Sequence, residues 1–103
     1  MSANAEARQN ALDRVLDASS PTAAIGEELF AVADALSGSP SLRRALTDAG
    51  TAEEARVNVV GALFTGRVSE QTMRVLTEAV KLAWSTTGSF VAAIERQGVR
   101  AIL

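Results

Sequence analysis

Apolar residues recur at intervals of three and four through most of this chain, and Gly, Pro, Ser and Thr cluster between the periodic stretches. That spacing is helical, and no stretch alternates with the period of two that a strand requires. A first helix is expected over about residues 4–17, with Leu12, Val15 and Leu16 on its apolar face. A row of small residues, Ala7, Ala11 and Ala18, runs beside that face, with Arg14 interrupting it. Ser19-Ser20-Pro21 is a break and a restart, with Ser20 as the expected cap of the next helix and Pro21 at its first position. The second helix runs to about Leu36 on the stripe Ile25, Leu29, Val32, Ala33 and Leu36, with Phe30 off its centre. Glu27, Glu28 and Asp34 read as its solvated face.

Ser37-Gly38 stops that helix, and Ser39-Pro40 opens a short third one. Leu42, Ala45 and Leu46 are expected to face inward, with Arg43 and Arg44 outward near its C-terminal end, where positive charge suits the helix dipole. So short a helix does not hold itself together in water and must be supported by its neighbours. Thr51-Ala52-Glu53-Glu54 has the form of a capping box for a fourth helix reaching about Phe64. Its expected stripe is Ala55, Val59, Ala62 and Leu63, widened by Val60 and Phe64, and Thr65-Gly66 ends it.

Ser69 caps the fifth helix, which is expected over about residues 70–84 and carries two apolar faces. One comprises Met73, Leu76, Val80 and Ala83, the other Val75, Ala79 and Leu82. A helix of this kind either lies between several neighbours or buries one face and offers the other. Glu70, Arg74 and Glu78 follow at intervals of four along its polar edge, a spacing that permits pairing. Ser85 to Ser89 reads as a loop before a last helix over about residues 90–99. Phe90, Val91, Ala93, Ile94 and Gln97 lie on its inner side, and Gly98 is expected to fray its end. Ala101-Ile102-Leu103 is an apolar finish that either packs back on the bundle or leads into further chain. The fold class is therefore all-α: a six-helix bundle with one short third helix, a single helical domain over residues 1–103.

Composition narrows the chemistry. Apolar residues make up 48% of the 103 positions, enough to build a core without disulfides. The chain has neither Cys nor His, which removes thiolate nucleophiles, zinc–sulfur sites and the commonest general base and metal ligand. No catalytic residues, cofactor or metal are expected. A net charge of -2 supplies no basic footprint for nucleic acid. No apolar run approaches the roughly 20 residues of a membrane span, and the N-terminus lacks the pattern of a signal peptide. Gly61 and Gly66 have the spacing of a phosphate-binding loop, but Arg67 and Val68 stand where Lys and Ser or Thr are needed, and a helix precedes them. A competing reading is a small DNA-binding or regulatory module that uses Arg43 and Arg44; the overall acidity argues against it.

The order of several short motifs is more specific than any one of them. They are Glu28-Leu29-Phe30-Ala31-Val32-Ala33, Leu36, Pro40-Ser41-Leu42-Arg43-Arg44-Ala45-Leu46-Thr47-Asp48, Val60-Gly61-Ala62-Leu63-Phe64, Val68-Ser69, Ala79-Val80, Trp84-Ser85 and Ile94-Glu95-Arg96. On these residues the chain resembles the N-terminal domain of the delta subunit of bacterial F-type ATP synthase, the counterpart of the mitochondrial oligomycin-sensitivity-conferring protein. The run Leu42 to Asp48 and the Trp84-Ser85 pair are most similar to the actinobacterial branch. Two places depart from that branch: Ala83 stands before Trp84 where an arginine is expected, and Thr87-Gly88 where an Arg-Asp pair is expected.

The resemblance implies a six-helix bundle and a non-catalytic, structural role in the stator, the peripheral stalk that steadies the catalytic head while proton flow drives rotation. It implies that the first and fifth helices form a groove for the amphipathic N-terminal helix of an alpha subunit. Carried onto this chain, the groove residues are Ala7, Ala11 and Ala18 with Val75, Ala79 and Leu82. It further implies contact with the stalk b subunit through a C-terminal delta domain that has no counterpart here. The implied place is peripheral, at the cytoplasmic face of the cell membrane, with no direct membrane insertion and no nucleic acid as partner.

Overall fold

All six periodic stretches become helices: α1 (Ser2–Ala18), α2 (Ala23–Ser37), α3 (Pro40–Thr47), α4 (Glu53–Phe64), α5 (Glu70–Lys81) and α6 (Thr87–Ile102). The computed structural model describes residues 2–48, 50–82, 84 and 86–103, with side chains from Glu6 onward. Ala83, expected on one face of the fifth helix, and Ser85 of the Trp-Ser pair lie outside the described residues. The described residues form no strand; Thr65 and Val68 make one isolated bridge across the turn after α4.

The turn chemistry is partly as expected. Gly38 closes α2 with its N–H on the carbonyl of Asp34, the Ser39 N–H takes that of Leu36, and Gly66 takes the positive φ of 84° that the turn after α4 requires. Ser69 caps α5 by accepting from the Thr72 N–H at 3.3 Å. Other caps differ. Ser20 does not cap α2 but turns the chain with φ 56°, and Thr22 accepts from the Ile25 N–H instead. The chain therefore passes Pro21 before the helix begins. Thr51 is not the first half of a capping box. Its hydroxyl donates to Asp48 Oδ2 at 3.0 Å, which leaves Ala52 as the residue before α4. The last helix starts at Thr87, inside the expected loop, because the Thr86 hydroxyl caps it by accepting from the Ser89 N–H.

The core forms where the apolar stripes of α1, α2, α5 and α6 meet. The α2 stripe is buried as spaced: Ile25, Leu29, Val32, Ala33 and Leu36. So is that of α6, where Phe90, Val91, Ala93, Ile94 and Gln97 face in. Leu12 and Leu16 close the core from α1, and Leu46 from α3. The outer helices depart from pattern. On α3, Ala45 is exposed; on α4, Ala62 is exposed and the buried positions are Arg56 and Val60. A short or peripheral helix covers only one edge of a core, so only part of its apolar stripe is needed.

The tightest crossing is α2 on α6. A Cβ on Gly26 would lie 2.8 Å from the Gly98 carbonyl oxygen and 2.5 Å from Ile102 Cγ1, and one on Gly98 would lie 3.2 Å from the Gly26 carbonyl oxygen. Gly98 is therefore buried inside α6 and does not fray it; the helix continues to Ile102. Two glycines facing each other let the backbones approach closely, and Phe30 packs its ring edge onto Gly98. On the other side of α6, Asp13 and Asp17 of α1 bind Arg96 and Arg100: Arg96 Nη1 reaches Asp13 Oδ1 at 2.9 Å and Arg100 Nη2 reaches Asp17 Oδ2 at 2.8 Å. The hydrogen bond from Arg100 holds the Asp17 carboxyl below its ordinary pKa.

Candidate partner-binding site

The surface between α1 and α5 is an open trough. Val15 of α1 lines one side, Thr65 lies in the turn after α4, and Glu70, Met73, Arg74, Thr77, Glu78 and Lys81 come from α5. α5 lies against α1 and α4 and also touches α2 and α6. Its inward residues are Thr72, Val75, Leu76, Ala79 and Val80. These positions fall on successive turns of one broad stripe, so the two expected apolar faces merge into a single buried one. Met73, assigned to the core face by its spacing, instead lies half-buried at the trough.

This placement divides the groove residues expected from the sequence. Val75 and Ala79 are 0% exposed and belong to the core, so neither offers a surface to a partner. Their burial follows from the neighbours on both flanks of α5, which a single helix's periodicity does not reveal. Leu82 is half-buried at the C-terminal cap of α5 and packs against the core. On α1, Ala7 and Ala18 are exposed and Ala11 is half-buried. Ala7, Ala11, Val15 and Ala18 follow at intervals of four, four and three, which puts them in one row along α1. Val15 thus carries the small-residue row into the trough.

Polar side chains that sequence periodicity assigned to solvent, or did not single out, fix the helices bearing the trough. Glu28 of α2 is not simply solvated. Its carboxylate accepts from the Ser69 N–H and hydroxyl and from the Thr72 hydroxyl, tying α2 to the N-terminus of α5. Partial burial raises its pKa, but the hydrogen bonds from Thr72 and Ser69 outweigh that and hold the carboxyl below its ordinary value. Arg56 of α4 secures the other end of α5. Its Nε donates to the Val80 carbonyl at 2.8 Å, and its Nη1 donates to the carbonyls of Thr51 and Asp48. Past α5, the Trp84 indole N–H donates to the Ala79 carbonyl at 2.7 Å. The Arg8 guanidinium sits 5.3 Å from the Trp84 ring centroid, a cation–π contact that joins α1 to this end of the trough. The only sequence signal for these roles is a lone charge at a position that the helical period turns inward, as with Arg56.

Arg43 and Arg44 do not form a common surface. Arg43 Nη1 donates to the carbonyls of Leu36 and Ser37 at 2.8 and 2.7 Å, closing the C-terminus of α2, while Arg44 is exposed. The positive charge expected to serve the dipole of α3 thus serves that of α2. This removes one of the two cations that a nucleic-acid reading relies on. Among the described residues no cluster of carboxylates has the form of a metal site, and no helix is long and apolar enough to cross a membrane.

No protein-family model matches the chain. Curated relatives do. The chain is 37% identical over 92 residues to the ATP synthase subunit delta of Cutibacterium acnes, an alignment covering 89% of this chain and 35% of that protein. It is 41% identical over 81 residues to the subunit delta of Corynebacterium urealyticum, covering 79% and 30%. Against that of Corynebacterium diphtheriae it is 35% identical over 98 residues, covering 95% and 33%. The chain spans about one third of the length of the curated relatives it matches. Related over most of its own length to these actinobacterial proteins, the chain belongs to the family of ATP synthase delta subunits.

Proposed function

We propose that this domain is a non-catalytic stator component of an F-type ATP synthase that holds the N-terminal amphipathic helix of an alpha subunit in the α1–α5 trough. The observation that carries the reading is the trough itself, which runs between two helices pinned at their ends and is lined by the half-buried Val15, Met73 and Thr77. A helix laid there buries its apolar face against these residues, at roughly 25 cal/mol per Å² less the cost of ordering the peptide. The action is mechanical. A clamp on the head of the synthase resists the torque of the turning shaft, so proton flow is converted into synthesis. Ala7, Ala11 and Ala18 let the helix approach α1, Leu82 closes one end, and Val75 and Ala79 support the floor from below. The domain works at the membrane's cytoplasmic face as a peripheral part of the complex, and the remainder of a full-length delta subunit joins it to the stalk b subunit.

Titration calorimetry with the N-terminal peptide of the cognate alpha subunit tests this. Met73→Asp places a charge in the trough and is expected to weaken binding tenfold or more with the circular dichroism spectrum unchanged. Val75→Asp does not serve that purpose: it buries an unpaired carboxylate and is expected to unfold the domain. Full affinity in a folded Met73→Asp variant refutes the assignment.

A further inference from the structure

The outer edge of α5 carries Glu70, Arg74, Glu78 and Lys81, with signs alternating at intervals of four, four and three residues. All four line the trough. They span about three helical turns, roughly 16 Å at 1.5 Å per residue. Such a row usually pairs with itself along the helix. Here it does not: every ion pair among the described residues lies on the opposite flank of α1, where Asp13 and Asp17 meet Arg96 and Arg100. The α5 charges are left to the trough. Across from them α1 lines the trough with Val15, an uncharged residue that continues the Ala7, Ala11 and Ala18 row of that helix.

We infer that this row is a charge code that sets the orientation and register of the helix bound in the trough, an inference that rests on the stator reading above. The partner it fits is an amphipathic helix with one small or apolar edge for α1. Its other edge carries charges of alternating sign one turn apart, each opposite in sign to its neighbour on α5. The alternation does two things. Slipping the partner by one turn sets like charges against each other along the row, so register is fixed. Reversing the partner reverses the order of its charges, so one direction is attractive and the other repulsive. A uniformly charged edge distinguishes neither. Charges at a solvated rim contribute little to total affinity and much to the rejection of wrong alignments.

The test compares four forms of the chain against the unaltered alpha-subunit N-terminal peptide at low salt. They are the native chain, the order-inverted variant E70K/R74E/E78K/K81E, the neutral variant E70Q/R74Q/E78Q/K81Q, and Met73→Asp. Net charge and the number of charges of each sign are the same in the native and inverted chains, one arginine being replaced by lysine, so the order of the signs is what differs. The inverted variant is expected to bind about tenfold more weakly than the native chain, and the neutral variant in between. The gap should shrink at 0.5 M salt, where the Debye length falls to roughly 4 Å. Glu70 and Lys81 also suit the dipole of α5, so thermal melts establish that each variant is folded at the assay temperature. Equal binding by native and inverted chains, with Met73→Asp impaired, overturns the charge code and leaves the trough standing. No effect of Met73→Asp overturns the trough and the code together.

Discussion

Arg56 Nε donates to the carbonyl oxygen of Val80 at 2.8 Å, so a buried cation on α4 closes the C-terminal turn of α5. The same guanidinium serves Thr51 and Asp48 through Nη1, at 2.6 and 3.0 Å. One side chain thus serves three carbonyls at a helix end and a turn, of which that of Asp48 also accepts from the Thr51 N–H. Arg suits the position because its planar fork of donors reaches several acceptors at once, which a lysine ammonium does not. Arg56→Met keeps much of the packing and takes the side-chain donor from the Val80 and Thr51 carbonyls, while Asp48 keeps the Thr51 N–H. A loss of about 2–4 kcal/mol is expected. For a domain of this size that lowers Tm by roughly 10–25 °C. Arg56→Lys should recover less than half of it. Calorimetric melting of the three proteins checks this, and an unchanged Tm in Arg56→Met removes the claim.

The α2–α6 crossing gives a paired prediction on glycine. Gly26→Ala sets a methyl group 2.8 Å from the Gly98 carbonyl oxygen, so the helices must separate. The gain in helix propensity of about 1 kcal/mol is outweighed, and a net loss of about 1–3 kcal/mol is expected. Gly61 also lies inside a helix, but a Cβ there meets only Thr65 Oγ1, at 3.7 Å. Gly61→Ala should therefore stabilise by about 0.5–1 kcal/mol. Urea unfolding of both variants decides the matter by the signs of the two changes.

Glu28 makes the fold sensitive to acid. Its carboxyl is held below the ordinary value near 4.5 by the Thr72 and Ser69 hydrogen bonds, against the upward push of burial. The folded pKa is the depressed one, so the stabilisation is fully present above the unfolded value. It is lost as pH falls from about 4.5 through the lower folded pKa. Glu28→Gln keeps the shape but not the charge and should cost about 1–2 kcal/mol at neutral pH. The gap between variant and parent should narrow as pH drops from 5 to 3. Denaturation midpoints measured across that range would show a constant gap if the carboxylate did not matter.

The two carboxylates of α1 are expected to differ. Asp13 accepts from Arg96 and also from Gln97 Nε2 at 2.8 Å, and Gln97 is only 1% exposed. Asp13→Ala leaves a buried amide donor unpaired, at a cost of about 1–3 kcal/mol. Asp17 meets Arg100 at the surface, where ion pairs contribute little, so Asp17→Ala should be the milder change. Chemical denaturation of the two single variants at moderate salt ranks them.

The helices, their order and the inner faces of α2 and α6 are legible in the sequence because they rest on local periodicity. Ile25, Leu29, Val32, Ala33 and Leu36 recur at three and four, and a stripe of that width must be covered. The stop at Gly66 is legible because its positive φ belongs to glycine, whereas Gly38 ends α2 in a right-handed conformation open to other residues. The motifs from Glu28 to Asp48 also carried the family resemblance. What the tertiary structure alone decided is which apolar residues remain available. Val75 and Ala79 look like a spare face on an isolated helix and become core once α1 and α4 close over α5. Met73 goes the other way, from expected core to trough. Arg56, Arg43 and Glu28 find their partners at other helices, 24, 7 and 41 residues away, and the period within one helix carries no information about such pairings. A sequence specifies which side of each helix prefers burial. How much of that side is covered depends on how many neighbours arrive, and that is a property of the assembled bundle.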